Sequence, residues 1–181
     1  MKDIALQLKS GKIGVMATDT IYGVVAQALD KKAVEKVYTA KGRDMAKGVL
    51  VLISSLNDLK QFCVVAGAQD LKALKKYWPG KVTVVLPIKK SSLKRWKHIH
   101  RGNNTIAFRL PKKKSLISLL KKTGPLIAPS ANPQGLAPAR TIAEARKYFE
   151  DKVDFYASGP VSKKPSKIIA LEEGRVTVIR N

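Results

Sequence analysis

Acidic side chains are scarce in this chain. In 181 residues, 13 Asp and Glu stand against 35 Lys and Arg, a formal net charge of +22. Cysteine is scarcer still: Cys63 alone cannot close an internal disulfide, and with only His98 and His100 there is no conventional Cys/His zinc site. A reducing, cytoplasmic setting is expected. Long apolar runs are missing too. The longest aliphatic run, Val49 to Ile53, is too short to cross a bilayer, and Met1 to Lys12 has Asp3 and no apolar h-region. Neither a membrane anchor nor an export signal is expected. Although glycine totals 12, no stretch has the Walker phosphate-loop spacing or the dinucleotide Gly-x-Gly-x-x-Gly spacing. A nucleotide would have to bind by another route.

What is present suffices for a packed core. A chain this long buries roughly 70% of its unfolded surface, and 45% of its residues are hydrophobic. The expectation is one α/β domain over residues 1–181, without repeats or low-complexity linkers. Helical patterns are read at Asp3 to Ser10, after Asp30 to about Lys41-Gly42-Arg43, from Asn57, over Asp70 to Trp78, over Ser115 to Lys122, and from Thr141 to about Phe149. Strand-like runs are read at Ile13 to Ala17, Val49 to Ile53, Val82 to Ile88, Thr105 to Leu110 and Leu126 to Ala128. Three more close the chain, at Val153 to Ala157, Ile168 to Leu171 and Arg175 to Arg180. Little helix separates those last strands, so the sheet should be mixed.

The positive charge is concentrated. Residues 71–143 contain no Asp or Glu and 17 Lys or Arg. A short run such as Lys112-Lys113-Lys114 reads as a solvated surface, but 73 residues of one sign repel each other unless a polyanion is near. Lys89, Lys90, Lys94, Arg95, Lys97 and Arg101 fall in a stretch without periodicity, read as a basic loop, and are the candidate RNA contacts. Trp96 and Phe108 either stack on bases or belong to the core. His98 and His100 are placed at the surface of the loop, and Cys63 reads as a small buried residue on a helix.

Three segments can carry chemistry. Ala17-Thr-Asp-Thr-Ile-Tyr-Gly23 puts small polar side chains where a strand ends, a usual ligand position in open α/β sheets; a self-satisfied turn is the plainer reading. Lys41-Gly-Arg43, with Lys47 four residues on, either complements a helix C-terminus or holds a triphosphate and offsets charge on leaving pyrophosphate. Ser130-Ala-Asn132, between Pro129 and Pro133 and ahead of Arg140, aims a hydroxyl and an amide the same way, or is a simple polar turn.

In order and spacing, Thr-Asp-Thr-x-Tyr-Gly, Lys-x-Arg with Lys-Gly and an aliphatic strand, Trp78-Pro-Gly80 before Val-Thr-Val-Val-Leu-Pro87, Ala107-Phe-Arg-Leu-Pro111 and Pro129-Ser-Ala-Asn132 are found together. This set resembles the YrdC-like threonylcarbamoyl-AMP synthases, over about Ile13 to Arg180, in their short single-domain bacterial branch. The resemblance implies a YrdC-like twisted open mixed sheet flanked by helices, with a basic concave surface. It implies a nucleotidyltransferase: L-threonine, bicarbonate or CO2, and ATP give threonylcarbamoyl-AMP and pyrophosphate, for threonylcarbamoyladenosine in tRNA. By matched positions, Lys41, Arg43, Ser130 and Asn132 are the catalytic and nucleotide cluster. ATP would also meet Lys47, Thr105, Arg140 and Arg180. Threonine would meet Thr20, Arg109 and Ser166, with Arg109 forking onto its carboxylate. Mg²⁺ is expected with ATP, on Asp19 or on the phosphates themselves. Ala17 stands where the family usually has proline, and Leu52 where longer relatives often have histidine. Partners implied are tRNA or another structured RNA and downstream tRNA-modification proteins. A non-catalytic RNA-binding protein and a carbamoyl-adenylating transferase remain the alternatives.

Overall fold

The structure, a computed structural model, describes residues 2–181. Its strands are β1 (Gly14–Ala17), β2 (Tyr22–Gln27), β3 (Leu50–Leu52), β4 (Val82–Pro87), β5 (Thr105–Arg109), β6 (Leu126–Ile127), β7 (Phe155–Ala157), β8 (Lys167–Glu172) and β9 (Arg175–Arg180). The helices are α1 (Lys2–Lys9), α2 (Lys31–Lys41), α3 (Ala68–Tyr77), α4 (Leu93–His100), α5 (Lys114–Thr123) and α6 (Ile142–Phe149). The strands form one open sheet in the order β7-β1-β2-β6-β3-β5-β4-β8-β9. β1–β7, β3–β5 and β4–β8 pair in parallel and the other neighbours antiparallel, so the sheet is mixed as expected.

Helices cover both faces of the sheet's centre, which is why β1 and β3 read as unbroken apolar runs, whereas β9 at the edge is exposed along its whole length. Successive side chains point to opposite faces. Met16, Val25, Leu52 and Leu126 meet Leu8 of α1 and Leu116, Leu119 and Leu120 of α5. Val15, Val24, Val51 and Ile127, one residue out of step, meet Val34 and Val37 of α2 and Phe149 of α6. A helix of eight residues such as α1 has little stability alone in water, so burial of Leu8 is what holds it.

Two expectations are corrected here. Tyr22 to Gln27 is a strand, where the sequence reading has only the motif ending at Gly23 and no element beyond it; its run of Gly, Val and Ala is buried on both faces and shows no alternation. Residues 89–101, read as a basic loop, form a short 3-10 turn and then α4. The apolar face of α4 is narrow, Leu93, Trp96 and Ile99, and the Lys and Arg between them mask its period. Trp96 and Phe108 are core residues in contact with Phe62. His98 and His100 are buried, each against a backbone carbonyl, Ala28 at 3.1 Å and Leu93 at 2.8 Å. Cys63 is half-buried and ends the 3-10 turn Leu56–Phe62 in the left-handed region, φ 55°.

Candidate active site

Three chain segments meet where β1, β5 and β6 end. α2 starts on Asp30, whose side chain accepts from Ala33 N, and stops at Gly42, φ 56°, a left-handed turn that favours glycine. The turn folds Arg43 back, its N–H donating to Tyr38 O at 3.0 Å. Past β6, Pro129 to Ala131 continue to pair along β2: Val24 N donates to Pro129 O and Ala131 N to Tyr22 O, both at 2.9 Å, with a bridge between Gly23 and Ser130. A Cβ on Gly23 would lie 3.3 Å from Pro129 O, so a side chain there would crowd this approach. Gln134 ties the first two segments together, donating from N to Lys41 O at 2.9 Å and accepting at Oε1 from Asp44 N at 2.7 Å.

Lys41 is 3% exposed. Its Nζ donates to Ser130 O at 2.5 Å and to Asn132 O. Burial, with the Arg43 cation adding to it, pulls the ammonium down from 10.5 to about 7. Asn132 turns its amide nitrogen to Pro133 O and Leu136 O, 3.0 and 2.7 Å, which leaves Oδ1 buried and unpaired. The Arg43 Nη2 donates to Gly48 O at 2.8 Å while its Nε has no partner.

Together these segments enclose a cleft of about 270 Å³. Thr20, Arg43, Arg109, Ser130, Ser166 and Arg180, all singled out from the sequence, line it. Arg109 is 2% exposed and donates to Asp19 Oδ1 at 2.9 Å. Desolvation lowers its pKa, and the Asp19 carboxylate opposes that. Ser166 is held by Thr83 Oγ1 at 2.8 Å and, through its carbonyl, by Arg180 Nη2 at 2.7 Å.

The other candidates stand outside the lining. Lys41 and Asn132 sit behind Ser130 and brace its loop. Lys47 is exposed on the turn after Arg43, and Thr105 lies two strand positions from Ala107, where the cleft wall ends. Arg140 borders an adjoining hollow next to Pro138 and Pro165. Lys89, Lys90, Lys94, Arg95 and Lys97 are exposed. Arg101 is instead engaged within the protein, 3.0 Å from Glu35 and 4.0 Å above the Tyr38 ring. Asp19, offered for Mg²⁺, is taken by Arg109, and among the described residues no group of three or more His, Cys, Asp or Glu could hold a metal ion.

Sequence reasoning missed Thr83 and Gln134. A lone hydroxyl inside the apolar run Val82 to Leu86 was a signal for Thr83; Gln134, in a polar loop, gave none.

Buried polar atoms are normally paired, yet in the lining Arg43 Nε and Arg109 Nε have no partner, nor does Asn132 Oδ1 behind it. The lining supplies cations, hydroxyls and apolar patches, and no cysteine, histidine or free carboxylate. It can bind anionic groups side by side and stabilise charge on them, and it offers no covalent nucleophile beyond hydroxyls.

The Sua5_yciO_yrdC family model, described as "Telomere recombination", matches residues 6–181. A threonylcarbamoyl-AMP synthase of Marinobacter nauticus is 32% identical over 168 residues, 90% of this chain and 87% of that protein. The Bacillus subtilis threonylcarbamoyl-AMP synthase is 33% identical over 141 residues, 77% of this chain but 40% of that longer protein. The crystal structure of P. abyssi Sua5 complexed with L-threonine superposes with a TM-score of 0.85 at 27% identity, covering 99% of this chain and 53% of that one. No helix among the described residues is long and apolar enough to cross a membrane. With the cleft's segments in register and a family match over nearly its whole length, this chain belongs to the Sua5/YciO/YrdC family.

Proposed function

We propose that this protein is a threonylcarbamoyl-AMP synthase, acting as one domain over residues 1–181 in the cytoplasm. The observation that carries this reading is the convergence of Arg43 and Ser130 with Arg109 and Thr20 on one cleft. In the proposed reaction the threonine amine and bicarbonate give a carbamate and water. A carbamate oxygen then attacks the α-phosphorus of ATP, and pyrophosphate leaves. No enzyme nucleophile is required, only reactants held close and compensation of negative charge.

The roles divide along the cleft. Arg43 presents a guanidinium to the phosphates and to the departing pyrophosphate. Ser130, with its loop clamped from behind by Lys41, donates its hydroxyl to the same group. Neutral Lys41 still has two N–H bonds for its two carbonyls, so the clamp survives deprotonation. Arg109 pairs with the threonine carboxylate, while Thr20 and Ser166 meet the rest of the amino acid. Arg180, in the lining, and Lys47, on the exposed turn after Arg43, are the remaining cations for the polyphosphate. Among the described residues no group of three or more His, Cys, Asp or Glu could hold Mg²⁺, so the ion would travel on the nucleotide phosphates.

The exposed Lys89, Lys90, Lys94, Arg95 and Lys97, with a net charge of +22, support a second, RNA-facing surface on α4 and the turn before it. The test of the enzyme reading is pyrophosphate release by the purified protein. Release that requires ATP, threonine and bicarbonate together supports it. RNA binding without such release returns the protein to a binding role.

A further inference from the structure

Arg109 and Asp19 form a buried ion pair that is bonded at one point only. Their side chains are 3% and 5% exposed, and a single guanidinium nitrogen, Nη2, reaches Oδ1 at 2.9 Å and Thr18 Oγ1 at 3.5 Å. Arg109 Nε and Asp19 Oδ2 are both buried and both unpaired. A pair kept for stability would close as a fork on a fork and use both oxygens. Taking two charges out of water with half their bonds unmade is a poor source of stability.

The two partners face different ways. Arg109 lines the cleft, whereas Asp19 borders a separate hollow beside Lys81, Lys112 and Lys113. Asp19 thus holds the guanidinium through Nη2 from outside the cleft lining and leaves Nε without a partner. The carboxylate also changes what the guanidinium attracts. Arg43 and Arg180 line the same cleft, and an unneutralised Arg109 would join them as a third cation for polyphosphate. Balanced by Asp19, it suits a singly charged carboxylate better than a polyanion.

We propose that Asp19 is the positioning residue for Arg109, fixing the guanidinium edge that receives the amino-acid carboxylate and reserving it for that group against the nucleotide phosphates. The inference rests on the proposed function, in which Arg109 binds threonine. Asp19 touches no substrate and acts through Arg109 alone.

Steady-state kinetics of Asp19→Asn separate this role from a structural one. Loss of a charge-assisted contact should raise KM for threonine about tenfold or more, with kcat within about twofold and KM for ATP not raised. Pyrophosphate should become competitive toward threonine in the variant but not in the wild type. Adding Asp19→Asn to Arg109→Gln should bring no further rise in KM for threonine. A parallel fall in kcat with both KM values raised, or an additive loss in the double variant, overturns the proposal. So does an unchanged KM for threonine in a variant that turns over. Should Asp19→Asn fail to fold, Asp19→Glu, which keeps the charge but shifts it by one methylene, should still raise KM for threonine selectively; equal effects on both substrates overturn the proposal. A wild-type protein that neither binds threonine in calorimetry nor releases pyrophosphate would instead sink the functional reading itself.

Discussion

Lys41 and Arg109 are 3% and 2% exposed, and each has identified partners; Lys94, Arg95 and Lys97, on α4, stand in solvent. Among the described residues none of those three makes an ion pair, although Arg95 lies 4.8 Å from the centroid of the Trp96 ring. The same side-chain types therefore do different work. At Lys41 and Arg109, desolvation strengthens the cation's pull on a ligand and lowers its pKa. On α4, high dielectric and salt weaken each charge, and only their number gives affinity for a polyanion.

The sharpest way to break this contrast is Arg43→Ala. Removing a cation that faces developing charge should cost about 10²- to 10³-fold in turnover, read by pyrophosphate release, while RNA affinity in a filter or gel assay stays nearly unchanged. Equal losses in both assays would erase the distinction between the two regions.

Lys41→Met comes next. It deletes the Nζ that donates to Ser130 O and Asn132 O; Asn132 O is left unpaired, at about 1–3 kcal/mol, while Ser130 O keeps its bond from Asn132 N. A chain of this size loses about 2–4 °C of melting temperature per kcal/mol. Turnover and melting temperature should fall together, whereas Arg43→Ala should lower only turnover. Replacement of Lys94, Arg95 and Lys97 by Gln should do the reverse of Arg43→Ala. RNA affinity should drop, with the slope of log affinity against log salt falling by about one per charge removed and turnover unchanged.

The smallest effect is a protonation signature of Lys41. With its folded pKa lowered to about 7 from 10.5, the unfolded chain holds more protons between those values. This residue's contribution to stability therefore rises with pH from about 7 towards 10.5 and is flat below 7, where both states are charged. Nucleotide phosphates bound in the cleft, on the far side of the Ser130 loop, would favour the charged form. Calorimetric titration of ATP above pH 7, repeated in buffers of different ionisation enthalpy, should show proton uptake on binding. Its absence in Lys41→Met would assign the proton.

The strands that stayed apolar on both faces, β3 and β4, were legible because burial on two sides leaves a run of β-branched and aliphatic residues. β2 escaped because Gly23 and Ala26 blur that run, and α4 because its apolar stripe is one residue wide between cations. Of the site, Arg43, Arg109 and Ser130 were legible from motif positions next to predicted element ends. The roles of Asn132, Arg101 and Gln134 were not. Asn132 spends its amide nitrogen on its own loop, Arg101 is engaged with Glu35 and Tyr38, and Gln134 with Asp44 just past α2, a pairing of residues 90 positions apart.

By itself the sequence determined the layered α/β architecture, the one-signed charge and the segments that bear the chemistry, because periodicity and residue type act locally. Only the tertiary structure decided which cations lose their water and which keep it. That choice depends on burial by distant segments, and it separates Arg109, held by Asp19 at the end of the cleft, from the lysines of α4.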